Sequence, residues 1–250
     1  MPDAPQPNPP RRDAPIRVID LGRMPYADAY ALQVAHHEEV LAARDAAART
    51  PAEPGRVLLV EHDPPVITVS RRPGAEAHLL ASASTLSAMG VQVEPTDRGG
   101  DITYHGPGQL VVYPILDLNA LNLRLHDYMR LLEQAVIDTL TGYGVAAARD
   151  TATGAGGGAT GVWVGDQKVC AMGVRIRRWV SMHGLALNIT TDLSHFNLIV
   201  PCGLVGRGVT SLAQLLGAAC PPMERVKEDL VERLRVRLTE HRPIRELDGL

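Results

Sequence analysis

Arg98–Gln109 reads RGGDITYHGPGQ and runs directly into Leu110–Leu116, LVVYPIL. The second stretch is apolar enough for a buried strand. Five of the twelve residues in the first are Gly or Pro. Its backbone can therefore take positive φ and come close to a ligand, while Pro107 fixes one turn of the path. Arg98, Thr103, Tyr104 and His105 are interleaved among the glycines. A shaped loop held against a core strand is how binding sites are commonly built. A long hairpin turn is the other reading, although a turn has no need of an Arg, a Tyr and a His.

Working outward, the spacing predicts mixed elements with no repeating βα rhythm. Ile16–Leu21 reads as a strand and Tyr26–Arg49 as an Ala-rich helix. Val57–Glu61 and Val66–Ser70 are strands around the paired prolines of His62–Pro65. Val91–Glu94 and Gln109–Leu116 bracket the glycine-rich loop. Leu125, Tyr128, Met129, Leu132, Val136 and Leu140 recur at helical spacing, which predicts a helix over Arg124–Tyr143. Val162–Val164, Lys168–Ile176 and Leu185–Ile189 form a meander, with Gly165-Asp166 as a turn. Thr210 and Ser211 cap a short helix. Pro222 opens a long one that turns Val226, Leu230, Leu234 and Leu238 inward. This pattern is α+β, one domain over residues 16–240 around a mixed or largely antiparallel sheet. Residues 1–15 hold six prolines and are expected to be a disordered leader rather than a signal peptide or membrane anchor. Residues 241–250 are expected to be a tail, and Thr151–Thr160, TATGAGGGAT, a flexible lid or dock.

Composition excludes several classes. The chain has 250 residues, is 45% hydrophobic and carries a formal charge of −3. It has mass for a sizeable core, no basic surplus or aromatic platform for nucleic acid, and no stretch of transmembrane length. Cys170, Cys202 and Cys220 lack metal-ligand spacing, so no metal is expected, and their odd number suggests reduced thiols in a cytoplasm.

Two further features concern reactivity. Of 25 basic residues only Lys168 and Lys227 are lysines. Lys227 lies in ERVKEDLVER and reads as solvated. Lys168 lies in VWVGDQKVC; it is either a chance survivor or a position that needs an amine able to exchange a proton, which arginine effectively cannot do. Cys170 reads as an inert strand thiol, and Cys220 is unassigned. Cys202, in Val200–Leu204 (VPCGL), is set between Pro and Gly on an irregular segment. It is a nucleophile or an ordinary exposed thiol.

The segments EHDPPVITV, RGGDITYHGPGQ, TGVWVGDQK, HGLALNI and PCGL, in this order, resemble the bacterial lipoyl/octanoyl transferases over roughly Val57–Leu216. The resemblance implies the biotin/lipoate ligase-like fold, a larger mixed sheet and a smaller one flanked by helices. It implies a nucleophile at Cys202 with Lys168 as its partner. It places substrate-binding segments on Arg98, Gly99, Gly100, Asp101, Ile102, Thr103, Tyr104 and His105, on Ala171, Met172 and Gly173, and on Gly184, Leu185 and Ala186. The donor it implies is octanoyl-acyl carrier protein. The acceptors are lipoyl domains of E2 subunits and the glycine cleavage H protein, with no cofactor and no ATP. The chain departs from the family pattern in the TATGAGGGAT insert and in ITVSRR, where many members have a Gly before the Arg.

Magnitudes say what the lysine is for. A free thiol is only about 3% thiolate at neutral pH. A hundredfold gain in acidity raises that about 25-fold, yet costs about 6- to 10-fold in intrinsic nucleophilicity, so the net gain is only a few-fold. An acceptor lysine amine is neutral in roughly 0.04% of molecules at pH 7, a handicap above about 4 kcal/mol. A base beside the thioester removes that handicap, and arginine cannot be that base. An aliphatic tunnel is expected to hold the acyl chain, with Tyr104, Met172, Leu185 and Ala186 as walls. His105 is expected to shape the loop, His183 to be packed or hydrogen-bonded, and Arg98 and Arg71 to face the carrier. The rival classes are an ATP-dependent lipoate ligase and a non-catalytic binding module.

Overall fold

In the computed structural model the residues described are 16–46, 54–150, 159–200 and 207–240. Cys202, residues 1–15 and 241–250, and residues 151–158 of the glycine-rich stretch lie outside them. In chain order the elements are β1 (Arg17–Met24), α1 (Tyr26–Ala46), β2 (Gly55–His62), β3 (Val66–Ser70), α2 (Ala83–Ala88), β4 (Gln92–Thr96), β5 (Ile102–His105), β6 (Gln109–Leu116), α3 (Leu125–Gly142), β7 (Ala148–Arg149), β8 (Val162–Val164), β9 (Gln167–Arg177), β10 (Val180–Asn188), β11 (Gly208–Val209), α4 (Leu212–Leu216) and α5 (Met223–Glu240).

The large sheet runs β1-β2-β6-β10-β9-β8-β7, and β11 pairs with β9. β1 with β2 and β11 with β9 are parallel, and the rest are antiparallel. Strand β6 is buried along its whole length because helices cover both faces. Its alternation sends Leu110, Val112 and Leu116 to one core, shared with Tyr128, Leu132, Val136 and Leu140 of α3 and Val226, Leu230 and Leu234 of α5. Val111, Tyr113 and Ile115 go to the other, under Ala29, Val40 and Leu41 of α1. The helical spacing in α3 and α5 thus carries the packing it predicted. Leu125, 50% exposed, and the part-buried Met129 are the exceptions, because α3 begins beyond the edge of that core.

A second sheet, β4-β3-β5, has its own core of Ile67, Leu86, Val91, Ile102, Tyr104, Phe196, Leu198 and Ile199. Here the structure corrects the sequence reading. Ile102–His105, expected as part of a loop, is strand β5, paired with β3 as Ile67↔Tyr104 and Thr68↔Thr103. Period-2 geometry then splits the segment, with Ile102 and Tyr104 facing the small core.

The two sheets are joined at Gly106-Pro107-Gly108. Gly108 has φ 81°, and a Cβ there would lie 2.6 Å from the Thr190 carbonyl carbon. Its carbonyl accepts from Ile189 N (3.1 Å), Thr190 N (2.9 Å) and Thr191 Oγ1 (3.1 Å). Its N–H donates to Glu61 Oε2 at 2.7 Å. Only glycine fits a clamp this close.

Around Lys168 the large sheet is completed in an unusual way. β10 pairs with β9 only as far as Leu187↔Cys170. Beyond that, β11 takes over, pairing Gly208↔Gln167 and Val209↔Lys168, and Thr210 N donates to Lys168 O at 3.0 Å. On the other edge Trp163 of β8 pairs with Lys168.

Candidate active site

A cavity of about 360 Å³ opens where β9 and β10, the glycine-rich run and the first turns of α3 meet. Of the residues picked out from the sequence, Lys168, Arg98, Gly99, Gly100, Thr103, His105, Ala171, Met172, Gly173, Gly184, Leu185 and Ala186 line it. Asp101, Ile102 and Tyr104 do not. Ile102 and Tyr104 point into the small core, where the Tyr104 ring stacks on His195 at 5.0 Å. Tyr104 is therefore no tunnel wall. Asp101 is buried with its Oδ2 2.7 Å from His78 Nδ1. The alternation that buries Ile102 and Tyr104 is what turns Thr103 and His105 to the cavity.

The glycine-rich run is docked on β9. Gly99 N donates to Val174 O at 2.9 Å, and a Cβ on Gly173 would stand 2.5 Å from Gly99 O. Arg98, expected to face the carrier, has intrachain partners. Its guanidinium donates inward to Thr68 O (3.1 Å), Thr68 Oγ1 (2.9 Å) and Gly99 O (3.1 Å), bracing the run against the small sheet. Arg71 is exposed.

The cavity also has lining that the sequence reading missed. Tyr26, Val111, Tyr113, Leu125, Met129, Ala159, Thr160 and Val174 belong to it, together with His183. Tyr26, His105 and Tyr113 are each less than a tenth exposed and form the floor. Leu125, Gly99 and Gly100 are exposed and mark the mouth. The Tyr26 and Tyr113 hydroxyls and His105 Nδ1 are committed to the walls. The Tyr26 hydroxyl donates to Thr96 Oγ1 at 2.9 Å. Tyr113 Oη lies 2.7 Å from His62 Nε2. His105 Nδ1 donates to Gln109 Oε1 at 2.7 Å, while Gln109 Nε2 donates to Asn188 Oδ1 at 2.9 Å. His183, with φ 58° and Nε2 2.8 Å from Asp97 Oδ1, is held as the sequence suggested. Asp97 also accepts from Tyr30 (3.0 Å) and Arg175 (2.5 Å).

Electrostatics agree with this commitment. Burial, then the neighbouring His62, holds His105 well below the ordinary histidine range. Burial also lowers His183, against the pull of Asp97. Burial raises Tyr113 well above the ordinary phenol range and pushes Tyr26 up to about 12. Both histidines are neutral and both phenols protonated at neutral pH, so the floor offers uncharged rings to an occupant.

Lys168 is half-buried beside the mouth. Its Nζ donates to Thr160 O at 3.2 Å and lies 4.8 Å from the centroid of the Trp163 ring. Trp163 Nε1 in turn donates to Ala159 O at 3.2 Å, and the Arg207 guanidinium covers the same ring at 3.5 Å. Lys227, expected to be solvated, is 9% exposed and donates to Asp20 and Glu224, both at 2.8 Å. Cys170 is fully buried in the large core, and burial raises its thiol far above the ordinary range. Among the described residues no group of three His, Cys, Asp or Glu side chains could hold a metal ion.

Comparison with known proteins gives one consistent answer. A sequence model of the lipoyl protein ligase A/B catalytic domain matches residues 26–235. The octanoyltransferase of Solibacter usitatus is 49% identical over 78% of this chain and 81% of its own length. A lipoate-protein ligase A bound with ATP has the same fold, with TM-score 0.66 at 16% identity over 89% of this chain and 85% of that one. So does a bipartite lipoate protein ligase from Thermoplasma acidophilum, described with its E2 lipoyl domain, with TM-score 0.62 at 15% identity over 89% and 83%.

Proposed function

The chain belongs to the lipoyl protein ligase A/B catalytic-domain family, among its octanoyltransferases, and on that premise we propose that it moves an octanoyl or lipoyl group from acyl carrier protein to a lysine of lipoyl domains. Those domains are the ones carried by E2 subunits and the glycine cleavage H protein, and the reaction is cytoplasmic and needs no ATP. The observation that carries this reading is the position of Lys168. It is an amine at the mouth of a small cavity whose buried end presents uncharged rings. An octanoyl chain placed there hides about six methylenes, a gain of roughly 5 kcal/mol, with its carbonyl left near the amine.

In the proposed reaction the Cys202 thiol gives its proton to Lys168 as sulfur attacks the carrier thioester. The departing thiolate takes that proton, leaving an octanoyl thioester on Cys202. The acceptor amine then attacks, passes its proton to Lys168, and the C–N bond forms as the C–S bond breaks. The proton returns to the Cys202 sulfur. Chain connectivity supports the pairing. Gly208, six residues beyond Cys202, pairs with Gln167 next to Lys168, and six residues span at most roughly 20 Å. Among the described residues no helix is long and apolar enough to cross a membrane.

Mass spectrometry after mixing with octanoyl-carrier protein tests the proposal. The expected result is an octanoyl adduct on Cys202 without ATP, absent from Cys202→Ser but present in Cys170→Ser and Cys220→Ser. ATP dependence would point to a ligase that activates the free acid, and tight binding without an adduct to a non-catalytic module.

A further inference from the structure

His62 does not line the cavity, yet three rings that do are set against it. Its centroid lies 5.4 Å from Tyr26, 5.6 Å from His105 and 6.0 Å from Tyr113. The side chain is fully buried at the end of β2. Its Nδ1 stands 3.3 Å from Met24 O, and a carbonyl only accepts, so Nδ1 carries the hydrogen. Burial lowers the ring to about 4, so at neutral pH Nε2 is a bare acceptor. The Tyr113 hydroxyl therefore donates to it at 2.7 Å. Both nitrogens are committed to protein groups, which leaves His62 no proton to exchange with a substrate.

What His62 does have is a place behind the floor. Tyr26, His105 and Tyr113 come from three separate elements, α1, β5 and β6. One imidazole holds all three edges apart, and one hydrogen bond fixes the Tyr113 ring in its plane. We propose that His62 is a positioning residue for acyl selection: by fixing the Tyr26, His105 and Tyr113 rings it sets the depth of the cavity, and with it the longest acyl chain the enzyme accepts. This rests on the reading that the cavity takes the acyl chain. A shorter side chain at 62 gives the rings room to retreat, and the cavity deepens.

The test compares self-acylation of the full chain with hexanoyl-, octanoyl-, decanoyl- and dodecanoyl-carrier protein. In His62→Ala the preference is expected to move to longer chains, each added methylene gaining up to about 4-fold in relative kcat/KM. The gain should appear in KM and leave the octanoyl kcat within a few-fold. His62→Gln can accept from Tyr113 and donate to Met24 O, so it is expected to restore the original length profile. Equal loss at every length in His62→Ala, or the same shift in His62→Gln, would overturn the proposal. Should His62→Ala not fold, Tyr113→Phe keeps the ring and removes only its tether. A smaller shift in the same direction is then expected, and an unchanged profile would count against His62. If the wild-type chain takes no acyl group of any length, the cavity reading fails. If it does and the variants keep its profile, only the role of His62 fails.

Discussion

Both ends of the cavity carry side chains with polar atoms, and they do opposite things. At the floor, the Tyr26 hydroxyl, His105 Nδ1 and the Tyr113 hydroxyl are directed into the wall, to Thr96, Gln109 and His62. At the mouth, the Lys168 amine meets a backbone carbonyl and the Trp163 ring beside exposed Leu125. A polar side chain lining a cavity is thus no measure of the cavity's polarity; the direction of its hydrogen bond decides. The floor is uncharged, and its two hydroxyls and His105 Nδ1 are occupied behind it. The mouth carries a flexible amine held by contacts that a long side chain can leave.

Replacing the amine at the mouth should therefore cost chemistry, and changes at the floor or at the apolar rim of the mouth should cost fit or stability. The largest effect is expected from Lys168→Arg, which keeps the charge but cannot act as a base. Single-turnover transfer to the acceptor amine should fall by about 10²- to 10⁴-fold, at least as much as self-acylation. Near wild-type deacylation would reduce Lys168 to an electrostatic partner and erase the contrast.

The floor answers to pH. His62 titrates at about 4 in the fold against about 6.5 in an unfolded chain. Its contribution is complete above about 6.5. As pH falls from there to about 4, the unfolded chain takes up a proton that the folded one refuses. Stability should drop by roughly 3 kcal/mol over that window, with His105 and His183 acting in the same direction. Urea unfolding from pH 7 to 4 measures the drop, and His62→Gln should make it shallower.

A smaller effect is expected from Tyr113→Phe, which leaves His62 Nε2 buried without a donor. The cost should be about 1–2 kcal/mol in denaturant unfolding. Smallest is Leu125→Ala. This half-exposed side chain should change stability by less than about 0.5 kcal/mol, while KM for the octanoyl donor rises only a few-fold. A loss of kcat in that variant would mean the mouth is as rigid as the floor.

Where period and composition act locally, the sequence was readable. The α5 positions Val226, Leu230 and Leu234 and the run Leu110–Leu116 declared their burial outright, and Lys168 stood out by its rarity. The small sheet was harder to see. In β5 the glycines and proline on either side masked a clean alternation of Ile102 and Tyr104 with Thr103 and His105. The floor was harder still. Tyr26 and Tyr113 look like core aromatics from either neighbourhood, and only the crossing of α1, β2, β5 and β6 at His62 gives them a shared purpose. Such convergence is a property of tertiary packing between distant segments. Lys227 misled for the same reason, since Asp20, one of its two partners, lies 207 positions away.

The handover from β10 to β11 along the edge of β9 has a consequence for motion. A residue at a cavity mouth would ordinarily belong to the part of a protein that opens first. Lys168 instead has β8 on one side and β11 on the other, so its main chain can open only when neighbouring strands release together. In deuterium exchange the amides around Lys168 should label as slowly as those of β6 at the centre of the sheet. The lysine would then work as a mobile arm on a stationary post, able to swing between the carrier thioester and the incoming amine without its strand moving.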